Sequence, residues 1–234
     1  MNFTYLLILA MVIWGVSWAS AKQISGYSPP EVLIFWRNLA TFIFLFPFLF
    51  ILKQKVKFSK KIFLNSLFGA ILMSTYNYLF FAGLKNGLAG AGGVLVTTLN
   101  PILNFILVSI LYHHVWKKRE IIGLIMGFSG GLIIIRIWEI KPEDIYKSGN
   151  LFFLIASLMW AFLSIQTHRA KKYMEPIPYS FLVYGFSTII TFFFAFFYDW
   201  TAPIGFDLKF WINLIYLSGI STAFATTIYF IASS

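Results

Sequence analysis

The sequence predicts an all-α integral membrane protein, and three observations lead there. Of its 234 residues, 59% are hydrophobic, 21% aromatic and only 11% charged, with a mean hydropathy of +0.81. That is too little charge to solvate a soluble domain of this size. The charges are also bunched, which leaves uncharged stretches at 1–21, 38–52, 62–84, 86–116, 121–135, 148–168, 176–198 and 210–234. Finally, a membrane span needs roughly 20 apolar residues, usually about 17–25, and six of these stretches reach that length unaided. The other two, 38–52 and 121–135, reach it when Arg37 and Glu120 sit at helix ends. Eight transmembrane helices are therefore expected.

The first helix occupies 1–21. Ala19-Ser20-Ala21 resembles a signal-peptidase site, but no residue from Met1 to Ala21 is charged, so the basic segment of a signal peptide is missing and a retained helix is expected. A second helix opening at Pro30 carries Arg37 about 10 Å along its axis. The third, over 62–84, ends at Lys85, and the fourth begins in the stretch NGLAGAGGVLVTTLNP (86–101). The fifth carries a ridge of small residues, Gly123, Gly127 and Gly131, suited to packing within the bundle. The last three helices fill 148–168, 176–198 and 210–234. Phenylalanine occurs 28 times, in runs such as Phe42–Phe50 and Phe192–Phe197, and reads as lipid-facing filler.

Charge orients the bundle. Alternating helices put 53–61, 113–120 and 168–175 on one side, with eleven of the 18 basic residues and two acids, Glu120 and Glu175. The excess of Lys and Arg marks that side as cytoplasmic, which places the N-terminus and residue 234 there too, in the inner (plasma) membrane. The net charge of +10 is thereby a topology signal, and no nucleic-acid partner is expected. The chain has no cysteine, which excludes disulfides, thiol nucleophiles and Cys-ligated metals. No cofactor or metal site is expected.

The chain also resembles itself. Met11-Val-Ile-Trp14-Gly15 returns as Ser157-Leu-Met-Trp160-Ala161, Ser28-Pro-Pro30 near Pro176-Ile-Pro178, and Tyr78-Leu-Phe-Phe-Ala82 as Ile228-Tyr-Phe-Ile-Ala232. The unit has five helices, and an odd number inverts the second copy in the membrane, the arrangement of many secondary transporters. The expected organisation is a first repeat over 1–138 and a second over 148–234. The second stops before its counterpart of Asn86, so it contains three helices and lacks two.

Several of these residues resemble the EamA family of the drug/metabolite transporter superfamily. They are Trp14-Gly15-x-x-Trp18, Pro30 leading to Arg37, Tyr76-x-Tyr78-Leu-Phe-Phe-Ala-Gly-Leu, Asn100-Pro101, and the Gly123/Gly127/Gly131 helix behind a basic loop. The resemblance covers essentially the whole chain and rests on order and spacing. It implies ten helices in two inverted repeats and efflux of small metabolites, often amino acids. The chain departs from the family in the two missing helices, and in His113-His114 where the family usually has Gly-Glu.

The stretch at 86–101 is not a P-loop, because Val94 follows Gly93 where Gly-Lys-Ser/Thr would be needed. Gly90 and Gly93 allow a turn and close helix contact. Pro101 removes a backbone donor, and Thr97, Asn100 and Asn104 form a polar stripe on one helical face. Such a helix either packs through its amides or lines a wet cavity. Arg37 is the most informative charge, since ionisable groups inside spans mark substrate or ion paths. Snorkelling or pairing with Glu31 is the alternative. The expected substrate path comprises Trp14, Trp18, Arg37, Tyr78, Thr97, Asn100, Asn104, Trp160, Tyr184 and Tyr229, with Gly90, Gly93, Pro101, Gly123, Gly127 and Gly131 in helix packing. Lys85 and Arg136 belong to the interface.

A rival reading comes from Gly127-Phe128-Ser129-Gly130, which has the Gly-x-Ser-Gly form of rhomboid intramembrane proteases. Its base would have to be His113, His114 or His168, all at the edge of the membrane, roughly 15 Å from Ser129. The sequence therefore favours a non-enzymatic secondary transporter working by alternating access on small metabolites, in lipid and without nucleotide. No span holds a buried Asp or Glu, which favours facilitation or exchange. Further alternatives are an inactive fragment, a non-transporting scaffold, or a homodimer or partner that supplies the missing helices.

Overall fold

The computed structural model describes residues 3–113, 116–134, 136–139 and 149–232. Eight helices and two short 3-10 segments account for them, and no strand occurs among the described residues. The helices are α1 (Phe3–Ile24), α2 (Pro30–Ile51), α3 (Lys60–Asn86), α4 (Ala89–Tyr112), α5 (Lys118–Ile134), α6 (Asn150–Ala170) and α7 (Pro176–Ala195), followed by α8 in three parts. Leu208–Ile215 and Ala225–Ala232 are α-helical, and Tyr216–Phe224 between them is π-helical.

Local chemistry explains most helix ends. Pro30 and Pro176 stand in the first turns of α2 and α7, where a missing N–H costs nothing. Ser59 caps α3 by accepting from the Ile62 N–H at 3.2 Å, and Asp207 caps α8 from the Phe210 N–H at 2.9 Å. Gly87 ends α3 and Leu88 starts α4, so the turn is two residues long, and Gly90, Gly92 and Gly93 lie inside α4. Gly149 precedes α6 at φ 74°, with Gly83 O only 2.6 Å from where its Cβ would stand, so no other residue fits.

Among the described residues, seven helices are long and apolar enough to cross a membrane, which makes this an all-α, multi-pass membrane protein. The eighth expected span, α5, has 17 residues, about 26 Å against a hydrocarbon core of about 30 Å. It stops where Arg136 turns left-handed at φ 49°, and Arg136 pairs with Glu139 at 3.3 Å on the exposed surface. Lys85 is likewise exposed.

The helices alternate in direction. The loops at 53–59 and 171–175 share one end of the bundle, the basic end, while the loops at 25–29, 87–88 and 196–207 share the other. α2 packs along α7, α3 along α6 and α7, and α1 along α8; α4 leans on α6, α1 and α5. The largest core cluster, including Ile24, Leu33, Phe81, Leu84, Phe153, Phe210 and Leu217, closes the end opposite the basic loops. A smaller one around Ala70, Met174, Tyr179 and Val183 joins α3, α6 and α7 nearer the basic end. Between them the bundle does not fill.

Candidate functional site

At mid-depth the helices enclose a cavity of about 380 Å³, bordered by α1, α2, α3, α4, α6, α7 and α8. Of the ten residues expected on the substrate path, eight meet here: Trp14, Trp18, Arg37, Thr97, Asn100, Asn104, Trp160 and Tyr184. Tyr78 does not. Its side chain is 38% exposed on the outer face of α3, and the cavity instead receives Tyr76 and Asn77. One residue turns a helix by about 100°, so the side chains of this stretch that face the cavity are the neighbours of Tyr78. The side chain of Tyr229 lies outside the described residues.

Arg37 is the one charged side chain among the described residues lining this cavity. It neither snorkels nor pairs with Glu31, which accepts from the Tyr198 hydroxyl at 3.3 Å. Its Nη1 donates to Asn77 Oδ1 at 3.3 Å, and the guanidinium lies 5.4 and 5.7 Å from the ring centroids of Phe80 and Phe81. Its Nε is buried without a hydrogen-bond partner. Asn77 in turn donates to Asn38 Oδ1 at 3.2 Å, and Asn38 to Thr191 Oγ1 at 3.4 Å. All three of these partners are at most 1% exposed. A relay through α2, α3 and α7 thus fixes the cation. The sequence offered one signal for it: Asn38, Asn77 and Thr191 are polar residues at positions deep inside apolar spans.

The walls are aromatic. Trp160 stacks obliquely on Tyr76 at 4.8 Å, and Trp14 anchors its indole by donating to Ser221 O at 2.9 Å. Ser221 lies in the π-helical part of α8, whose wider turns also let the Thr222 hydroxyl reach Leu217 O, five residues back, at 2.8 Å. Ser221, Thr222 and Thr226 bring hydroxyls to the cavity that sequence reasoning did not single out. In α4 the helix runs through Pro101, and Thr97 donates to Gly93 O at 2.6 Å.

Of the packing glycines, Gly131 is closed in by Thr98, at 2.5 Å from a built Cβ, and Gly93 meets Trp18 at 3.5 Å. A Cβ at Gly123 or Gly127 would meet nothing within 4 Å, because α5 turns only the Gly131 end of its ridge onto α4, and one at Gly90 on α4 would likewise meet nothing. Ser129 is exposed on α5, and no bond from a histidine to it occurs among the described residues.

A second lobe of about 440 Å³ shares Trp14, Met73, Trp160, Tyr184, Thr222 and Thr226 with the first and continues toward the basic end, where His168 and Lys171 line it. The opposite end is sealed. There Lys22 Nζ donates to Leu84 O and to Gly87 O, capping the C-terminus of α3 with a cation. Trp36 donates to Trp200 O at 2.8 Å, and the Tyr27 hydroxyl to Asp207 at 2.9 Å, an acceptor that holds the Tyr27 phenol above its ordinary pKa.

Comparison with known proteins agrees with this architecture. The chain is 28% identical over 195 residues to the "Uncharacterized transporter YyaM" of Bacillus subtilis (strain 168), covering 80% of this chain and 63% of that protein. The chain thus spans less than two thirds of this curated relative's length. A solved crystal structure, described only as that of a protein, superposes with a TM-score of 0.71 at 16% identity over 98% of this chain and 78% of its own, a likeness of fold alone. The model of the EamA-like transporter family matches residues 3–136 and 147–234, so nearly every helix described here falls within it. The chain belongs to the EamA-like transporter family.

Proposed function

We propose that this protein is a secondary membrane transporter that exports small polar metabolites by alternating access, with its basic end in the cytoplasm. The observation that carries this reading is the form of the cavity. Its polar and aromatic centre is continuous with a lobe running to the basic end, while aromatic packing and the Lys22 and Tyr27 bonds close the opposite end. An inward-facing carrier has this form.

Two further features support the reading. If α1, α2 and α3 correspond to α6, α7 and α8, then the packing of α3 on α6 has its mate in α1 on α8, and that of α3 on α7 in α8 on α2. The α2–α7 pair maps onto itself. That reciprocity is expected of inverted repeats with a site at their interface. Trp14 and Trp160, the repeat mates, both line the cavity.

The test is efflux from liposomes loaded with a soluble metabolite extract, with external solutes identified by mass spectrometry. Protein-containing liposomes should release a small set of polar metabolites faster than protein-free ones. Arg37→Ala and Asn100→Ala should each cut that release at unchanged protein content. Equal release with and without protein would overturn the proposal, and loss of protein in step with release would make both residues structural.

A further inference from the structure

We propose that the cavity seats a small organic monoanion, with its carboxylate on Arg37 and its apolar body against Trp14, Tyr76 and Trp160. The inference rests on reading this cavity as the substrate path and names the class of substrate. Arg37 arrives there incompletely satisfied. One described hydrogen bond, to Asn77, uses part of a five-donor fork, Nε has no partner, and no Asp or Glu among the described residues lines either lobe. A planar guanidinium set among the Phe80 and Phe81 rings and steered by Asn77 is organised for two parallel bonds to a carboxylate.

The count of charges excludes the alternatives. Ionisable groups at mid-membrane are tolerated when paired, so an occupied, closed cavity is most stable when cation and ligand sum to zero. A monoanion achieves this. A zwitterionic amino acid leaves one positive charge and an ammonium group without a carboxylate to meet it, and an amine leaves two positive charges. The approach is arranged the same way, since Lys171 is the one Lys, Arg, Asp or Glu described along the outer lobe. A path lined by one sign of charge concentrates ligands of the other. The cavity's 380 Å³ accepts a small ligand of this kind.

The experiment titrates the purified full chain by quenching of tryptophan fluorescence, which the cavity-lining Trp14, Trp18 and Trp160 report. Two matched probe sets vary only in charge: pentanoate, norvaline and butylamine, then 3-phenylpropionate, phenylalanine and phenethylamine. In at least one set the carboxylate should saturate at a concentration about tenfold or more below its amino acid, with no saturation by the amine. Arg37→Gln should weaken that carboxylate about 10- to 100-fold, the range for losing hydrogen bonds to a charged group, and Arg37→Lys should retain part of the affinity. If Arg37→Gln does not fold, the order of probes on the parent protein and on Arg37→Lys decides. A set order led by the amino acid or the amine in both series, no saturation by either carboxylate, or a folded Arg37→Gln binding like the parent would each overturn the proposal. Charge-ordered binding without flux in liposomes would leave the anion seat standing and remove the transport reading. Flux without that order would do the reverse.

Discussion

Phe153 at the start of α6 is fully buried between two glycines, Gly83 on α3 and Gly92 on α4, and this socket allows a quantitative test of how the bundle packs the end opposite the basic loops. Adding a methyl group at Gly92 would place a carbon 2.6 Å from Phe153 Cζ and 2.7 Å from Cε1 and Cε2. Carbon atoms prefer separations of about 3.5–4.0 Å, so the ring would have to retreat by roughly 1 Å. It has nowhere to go. A Cβ on Gly83 would lie 2.6 Å from Cε1 of the same ring, and Trp18 flanks it at 5.8 Å between centroids. Overpacking of this kind costs about 1–3 kcal/mol, and the better helix propensity of alanine returns at most about 1 kcal/mol. With that return in full, the net loss of up to about 2 kcal/mol corresponds to a Tm lower by up to about 8 °C for a chain of this size, and the gap from an unhindered Gly-to-Ala change is the whole of about 1–3 kcal/mol, about 2–12 °C.

The assay is thermal unfolding of Gly92→Ala in detergent, read by tryptophan fluorescence, with Gly90→Ala as the control because a Cβ there meets nothing within 4 Å. Gly90→Ala should match or exceed the parent. Adding Phe153→Leu to Gly92→Ala should restore more than half of the lost Tm, since a smaller side chain relieves the contact that the first change created. A Gly92→Ala protein as stable as Gly90→Ala, or one that Phe153→Leu does not relieve, would refute the socket.

Three more outcomes follow from the same geometry. The chain contains no cysteine, so single substitutions report topology cleanly: Lys55→Cys and Lys171→Cys should react with an impermeant maleimide only from the cytoplasmic side, Thr201→Cys only from outside, and the reverse pattern would invert the proposed orientation. Asn77→Asp places a carboxylate oxygen where Oδ1 now stands, 3.3 Å from Arg37 Nη1, and should weaken carboxylate binding about tenfold or more by supplying the missing counter-charge; an unchanged Kd would remove the electrostatic argument. Lys22→Met strips the cation from the C-terminus of α3 and should lower Tm by several degrees, for a cost of about 1–2 kcal/mol, while raising labelling of a cysteine at Ser17 from outside; no change in either would show that Lys22 does not hold that end closed.

What the sequence determined by itself was where the helices run and which ends they share, with seven of its eight expected spans long and apolar enough to cross a membrane among the described residues. An unpaired charge in hydrocarbon is so costly that the bunching of Lys, Arg, Asp and Glu already marks the loops. The sequence also made cavity-lining polar residues legible where they form a stripe at helical spacing, as in Thr97, Asn100 and Asn104. Rotation about each helix axis was a different matter. In a bundle surrounded by lipid, both the packed and the lipid-facing sides of a helix are apolar, so no amphipathic stripe reveals which side turns inward. That is why Tyr78 read as well as Tyr76 and Asn77, and why Gly123, Gly127 and Gly131 read alike although one of them alone meets Thr98. The partner of Arg37 lies 40 residues away on another helix, and the widened turns of α8 lie where it packs against α1 and α2. Only the tertiary structure could decide these, because each depends on which side chains from separate helices arrive at the same depth.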